Sequence, residues 1–93
     1  MSDLTPPAWA LTTALTVGTA LGFAAEIRAY DRRLMHGTVM HRVTMTDAES
    51  LRAVVHYYPG KVVVMDLDAD REAVGATLDE ALRGEWTPIV EAA

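Results

Sequence analysis

Cysteine is absent from this sequence, so no disulfide bond can stabilise the chain and no thiolate can bind a metal. Aromatic residues are also few, with two Trp, three Tyr and one Phe. A chain of 93 residues buries only about 60–65 % of the surface that its unfolded form exposes, so its own core is small. These shortages predict a protein that depends on packing against a partner.

Positive charge is scarce and unevenly placed. The formal net charge is −5, because residues 46–93 sum to −6 while residues 1–45 sum to +1. An acidic domain repels phosphate backbones, so we expect no nucleic-acid partner.

No charged residue occurs between Leu4 and Ala25, and no proline interrupts the chain from Ala8 onward until Pro59. Pro6 and Pro7 suit the entry to a helix, and Gly37 suits its end. We therefore predict one long helix from Ala8 to about Leu34.

The second half shows alternating strand and helix patterns. Val39, His41, Val43 and Met45 share one face of a predicted strand, and Thr46 to Glu49 form a capping box that opens a helix. Pro59-Gly60 predicts a turn. The predicted elements are a strand over 38–45, a helix over 46–58, a strand over 61–65, a helix from Asp68 or Asp70 to Gly84, and an edge strand over 86–90.

This order predicts an α+β or α/β fold, in which a long N-terminal helix precedes a small βαβα unit with a two- to three-stranded sheet. Residues 1–35 would form the tail and helix, and residues 36–93 the acidic domain. The apolar run Val62–Met65 predicts a strand covered on both faces. Two short helices can cover only one face of the sheet, so the other face favours assembly with a partner.

Small residues recur every fourth position of the predicted long helix, at Ala14, Gly18 and Gly22. Such a ridge allows two helix backbones to approach closely. We therefore predict that Ala14, Gly18 and Gly22 form a helix–helix interface, either with a second copy or with another subunit of a larger complex.

A membrane anchor is the alternative. Trp9 and Tyr30 are 21 residues apart, roughly 31 Å along a helix, which is close to the thickness of the bilayer hydrocarbon. Arg32 and Arg33 follow, as expected on a cytoplasmic side. Trp9, Tyr30, Arg32 and Arg33 would then be the membrane-interface residues. The many Ala and Thr contribute little transfer free energy, which favours packing against protein.

The stretch from Val43 to Gly84 has a capped helix, a glycine and an apolar strand that ends in Asp-Leu. This order resembles the bacterial division protein SepF, which joins a membrane-binding N-terminal helix to a small dimerising domain. The resemblance implies self-association and a membrane-facing helix.

Val62 to Asp68 resembles the first motif of haloacid-dehalogenase-type phosphatases, in which an apolar strand ends in Asp-x-Asp. The resemblance implies Asp66 as nucleophile and Asp68 as general acid and base. Ala69 and Asp70 stand where that family has Gly and Thr, and the later motifs of the family have no counterpart. A small phosphatase-like enzyme is therefore the third hypothesis.

The remaining motifs predict no catalytic residue, no metal site and no cofactor. The three histidines lack the spacing of metal ligands, and the glycines occur singly, so no phosphate-binding loop is present. The first hypothesis is a non-enzymatic structural or assembly subunit, in a homo-oligomer or a larger complex such as a virion or secretion machine. It would be cytoplasmic or virion-associated; the alternative is a single-pass membrane-anchored accessory protein facing the cytoplasm.

Overall fold

The computed structural model describes residues 5–48 and 50–89. In these residues six strands form one antiparallel sheet, and each strand pairs with the next along the chain. One helix precedes the sheet and a short helix joins the last two strands. The elements are α1 (Ala8–Leu21), β1 (Glu26–Met35), β2 (Thr38–Thr46), β3 (Leu51–Tyr58), β4 (Lys61–Asp66), β5 (Arg71–Gly75), α2 (Leu78–Arg83) and β6 (Thr87–Pro88).

The predicted long helix is wrong, because α1 ends at Leu21. Gly22 adopts the left-handed conformation, with φ of 83°, and its amide and that of Phe23 both bond to the carbonyl of Gly18. This is how glycine ends helices. The chain then reverses direction, and residues 26–35, which were expected to continue the helix, form the edge strand β1.

Gly37 lies in a hairpin turn and does not end a helix. His36 and Gly37, which connect β1 and β2, both have positive φ, of 52° and 78°. Two-residue hairpin loops of type I′ require positive φ at both central positions. The domain boundary expected at residue 35 therefore falls inside a hairpin, between two strands that pair along most of their length.

The helix predicted over residues 46–58 is wrong as well. Residues 51–58 form β3, a strand that is rich in β-branched and aromatic residues. Its side chains alternate, so that Ala53 and Val55 are buried while Val54 and His56 lie on the other face. Glu49, the last residue of the predicted capping box, lies outside the described residues.

The predicted strand over 61–65 is confirmed as β4, but the expected parallel βαβ crossover is wrong. β4 pairs antiparallel with both neighbours. The predicted last helix is shorter than expected, because residues 71–75 form β5 and the Thr77 hydroxyl caps α2 by accepting from the Glu80 amide at 3.1 Å. The edge strand predicted over 86–90 is present in part, as the two-residue β6, and residue 90 lies outside the described residues.

Both helices pack on the same face of the sheet, which we call the covered face. Its core contains Val17 from α1 with Val43, Met45, Val55 and Val64 from the strands, all fully buried. No helix of the described residues packs on the opposite face, which we call the open face. The central residues of the open face are Val54, His56, Tyr58, Val63, Met65 and Val74.

Candidate functional site

The predicted small-residue ridge packs against its own chain. Ala14 and Gly18 are buried under the sheet and the loop that follows α1. A Cβ atom on Gly18 would lie 2.6 Å from the carbonyl oxygen of Phe23 and 3.0 Å from the Cβ of Ala25. Gly22 is exposed, and its role is to end the helix. The close approach that Gly18 allows is therefore made within the molecule.

The residues expected at two membrane interfaces lie together in the fold. The rings of Trp9 and Tyr30 meet edge to face, with centroids 5.7 Å apart. Arg32 and Arg33 are neighbours on β1, so they point to opposite faces of the sheet. In the described part of the chain, no helix has the length and apolar character needed to cross a bilayer. The expected membrane-spanning helix is thus replaced by a 14-residue helix and a strand.

Asp66 and Asp68, the residues of the phosphatase-like motif, make structural contacts. The buried Asp66 carboxylate accepts from Arg71 Nε at 3.1 Å and from the Ala69 amide at 3.4 Å. Asp68 is exposed and lies 3.8 Å from Arg52. Among the described residues, no group of three or more His, Cys, Asp or Glu is arranged to hold a metal ion. Asp66 thus stabilises the turn between β4 and β5.

The open face has an apolar centre on adjacent strands. Val54 of β3 is paired with Met65 of β4, and Val63 of β4 is paired with Val74 of β5. Val74 is 53 % exposed, and the other three are half-buried. Four large side chains on one flat surface form a patch of the kind that marks an interaction site.

Charged residues of opposite sign lie at the two ends of this open face. Arg33 and Lys61 lie at the end that holds the β1–β2 and β3–β4 turns. Glu26 and Glu72 lie at the opposite end. Glu26 is the first residue of β1, and Glu72 is the second residue of β5. Between these ends, Arg42 donates to the Asp31 carboxylate at 2.7 Å. The face is therefore basic at one end and acidic at the other.

His56 occupies the middle of the open face and has a lowered pKa. Burial is the main cause, and the neighbouring guanidinium groups of Arg42 and Arg33 lower the pKa further, while the Glu72 carboxylate acts in the opposite direction. The ring meets Tyr58 edge to face at 6.1 Å. The neutral imidazole is thus the form that this surface favours.

The stability of the protein should consequently decrease on acidification. The unfolded chain titrates with the ordinary histidine pKa of 6.5, while the pKa of His56 in the folded chain is lower. Neutral His56 makes its full contribution to the free energy of unfolding above about pH 6.5. This contribution is lost as the pH falls through that value toward the pKa of the folded state. Urea unfolding between about pH 7 and about pH 5 should show this decrease.

His56→Gln should reduce the loss of stability on acidification. His36→Gln is the control, because His36 is exposed in the β1–β2 turn. The His36→Gln substitution can change the free energy of unfolding, but not the part of its pH dependence that comes from His56. A pH profile that is the same with and without His56 would contradict the assignment.

A cluster of four aromatic rings lies at the other side of the sheet, where α1 crosses it. Trp9 contacts Tyr30, His41 and Tyr57 edge to face, with centroid distances of 5.7, 5.4 and 5.1 Å. Tyr30 and His41 are stacked, with 18° between their planes. Edge-to-face and stacked pairs at such distances add to the stability that ring burial provides.

Hydrogen bonds hold the polar atoms of this cluster in place. The Tyr30 hydroxyl is 2.7 Å from His41 Nδ1. The Thr13 hydroxyl donates to the Trp9 carbonyl at 3.0 Å and lies 2.5 Å from the Tyr57 hydroxyl, which therefore donates to it. Burial raises the pKa of Tyr57, and the Thr13 hydroxyl opposes this rise because it can turn to donate to the phenolate. The neutral phenol is thus favoured at this apolar site.

A cavity of about 520 Å³ opens beside these rings. Its lining comes from α1, β2, β3 and α2, and consists of Trp9, Thr12, Thr13, His41, Tyr57 and Leu78. Sequence reasoning missed this site, because its residues are far apart along the chain. The one available signal was the position of His41 on the same predicted face as Val39, Val43 and Met45.

No protein-family model, curated protein or solved structure matches this chain. The described residues form an antiparallel sheet in chain order, with helices on one face and an apolar centre on the open face.

Proposed function

We propose that this protein is a non-enzymatic assembly subunit that associates with a second copy of itself through the open face. The observation that carries the proposal is the patch formed by Val54, Val63, Met65 and Val74, which the helices leave uncovered. Burying large apolar side chains contributes roughly 1.5–3 kcal/mol each when burial is complete. A second open face would supply the missing cover.

The distribution of charge supports a two-fold arrangement in which the strands of the two copies run in opposite directions. Such a rotation places the basic end of each open face against the acidic end of the other. Along β1, Arg33 of one copy then lies opposite Glu26 of the other. Lys61 of β4 lies at the end that faces Glu72 of β5 in the second copy. The charge pairs would set the orientation, and the apolar centre would supply the affinity.

The size of the face indicates a dimer of moderate affinity. Five strands spaced by about 4.8 Å, with about six residues each, form a surface of about 20 by 20 Å. Stable interfaces bury about 800 Å² on each partner, and smaller ones are transient. We therefore expect a dimer that dissociates in the micromolar concentration range.

Sedimentation velocity across a concentration series tests this proposal. The wild-type chain should shift from monomer to dimer as its concentration rises, and Val63→Asp should remain monomeric because it places a carboxylate in the apolar centre. Arg33→Glu and Glu26→Arg should each weaken the dimer. The double variant should restore much of the affinity, because it exchanges the two charges of one predicted pair.

Arg28→Glu is the matched control, because Arg28 occupies the irregular position of β1 between Ile27 and Ala29 and is not one of the charges at the ends of the open face. It should leave dimerisation unchanged. A wild-type chain that stays monomeric at every concentration overturns the proposal. Dimerisation that survives Val63→Asp places the interface elsewhere.

A further inference from the structure

We propose that the cavity beside the aromatic cluster binds a small planar aromatic carboxylate. This site is separate from the open face, and the inference is independent of dimerisation. Ligand sites of about 300–1,000 Å³ that are mostly apolar, with a few fixed polar groups, are typical of small-molecule binding. The cavity matches this description, with about 520 Å³ and three ring side chains in its lining.

The lining favours a flat ring as ligand. The three rings come from different elements, and Trp9 makes edge-to-face contacts with both His41 and Tyr57. An inserted aromatic ring could make the same kind of contact with them. Leu78 of α2 supplies an aliphatic surface at the remaining side.

His41 supplies a directed hydrogen-bond donor. The Tyr30 hydroxyl lies 2.7 Å from Nδ1 of His41. In the tautomer in which this hydroxyl donates to Nδ1, the imidazole carries its proton on Nε2. The stacked Tyr30 ring also holds the imidazole in this orientation. A ligand in the cavity therefore meets an N–H group that seeks an acceptor.

Arg32 favours a carboxylate as the acceptor group of the ligand. It is the cross-strand partner of His41 on the same face of the sheet, where Cβ atoms are about 4.5–5.5 Å apart. Arg32 is exposed and forms no ion pair within the described residues. Among the residues that the structure describes, no acidic side chain lines the cavity. In a chain of net charge −5, this is a local positive site that an anionic group can neutralise.

Calorimetric titration with 2-naphthoate and with its neutral amide, 2-naphthamide, tests the proposal. The wild-type chain should bind one naphthoate per monomer, about ten-fold more tightly than the amide, because only the anion gains a charge-assisted bond. Arg32→Gln should remove most of this ten-fold preference and leave amide binding unchanged. Arg28→Gln is the control, since Arg28 is equally exposed but lies at the other end of β1.

Thr12→Phe tests the location of the site. Thr12 is exposed on α1 and lines the cavity, so the added ring should occupy the space while the fold is retained. This variant should lose both ligands and keep a cooperative melt. Saturable binding that survives Thr12→Phe, equal affinities for the anion and the amide, or no saturable binding at all would each overturn the proposal.

Discussion

Gly18→Ala is expected to destabilise the protein by about 1–3 kcal/mol, which is opposite in sign to the usual effect of this change. Alanine in a helix interior is normally more favourable than glycine by about 1 kcal/mol. Here the new methyl group would lie 2.6 Å from the Phe23 carbonyl oxygen, which is closer than van der Waals contact. Backbone must move to accept it, and this movement disturbs the loop that turns the chain from α1 into β1.

Urea unfolding of Gly18→Ala beside Thr19→Ala would measure this effect. Thr19 is exposed on the same helix, so its replacement by the better helix former should leave stability unchanged or slightly raised. If Gly18→Ala were as stable as the wild type and altered only the oligomeric state, the ridge would be an interface between molecules, as its spacing first indicated.

Val64→Asp should abolish the folded state at 25 °C. Val64 is fully buried in the core between the helices and the sheet. The change loses roughly 1.5–3 kcal/mol of apolar burial and adds several kcal/mol for an unpaired carboxyl group in an apolar site. The total stability of small proteins is only about 5–15 kcal/mol, so little or none would remain. Circular dichroism and a thermal melt would report the loss.

Val63→Asp is the matched control, because the same change one residue earlier falls on the open face. It should keep a cooperative melt close to that of the monomeric wild type. Unfolding of both variants to a similar extent would mean that the open face is as essential to the monomer as the core is. A folded Val64→Asp chain would contradict the burial of β4 in the core beneath the helices.

Residues 51–58 show why periodicity alone assigned part of this fold incorrectly. Leu51, Val54, Val55 and Tyr58 have the spacing of a helical stripe, while Ala53, Val55 and Tyr57 alternate as in a strand. The same residues satisfy both templates. Pairing with β2 on one side and β4 on the other selects the strand, and the periodicity of residues 51–58 contains no information about this pairing.

Residues 22–35 show a second cause of incorrect assignment. From Ala8 onward the uncharged stretch before them has no proline, so nothing in it distinguishes a helix that continues from a helix that ends. The deciding feature is Gly22 at φ of 83°, and glycine occurs both inside small-residue helix ridges and at helix ends. The packing of Phe23, Ala25 and Ile27 against the core favours the helix end.

What the sequence by itself determined is local. It identified the turns at Gly37 and Pro59-Gly60 as breaks, the strands that became β2 and β4, and the inward face of Val39, His41, Val43 and Met45. Alternation and turn chemistry are properties of neighbouring residues, so a single chain reveals them. The run Val62–Met65 also indicated that β4 carries apolar side chains on both faces.

Only the tertiary structure decided which segments pair and which side chains meet. Trp9, Tyr30, His41 and Tyr57 come from four elements, and no spacing along the chain predicts that their rings touch. The same holds for the open face, whose apolar centre combines β3, β4 and β5. The free energy that selects these contacts comes from burial between different elements, and it outweighs local propensities of a few tenths to about 1 kcal/mol per residue.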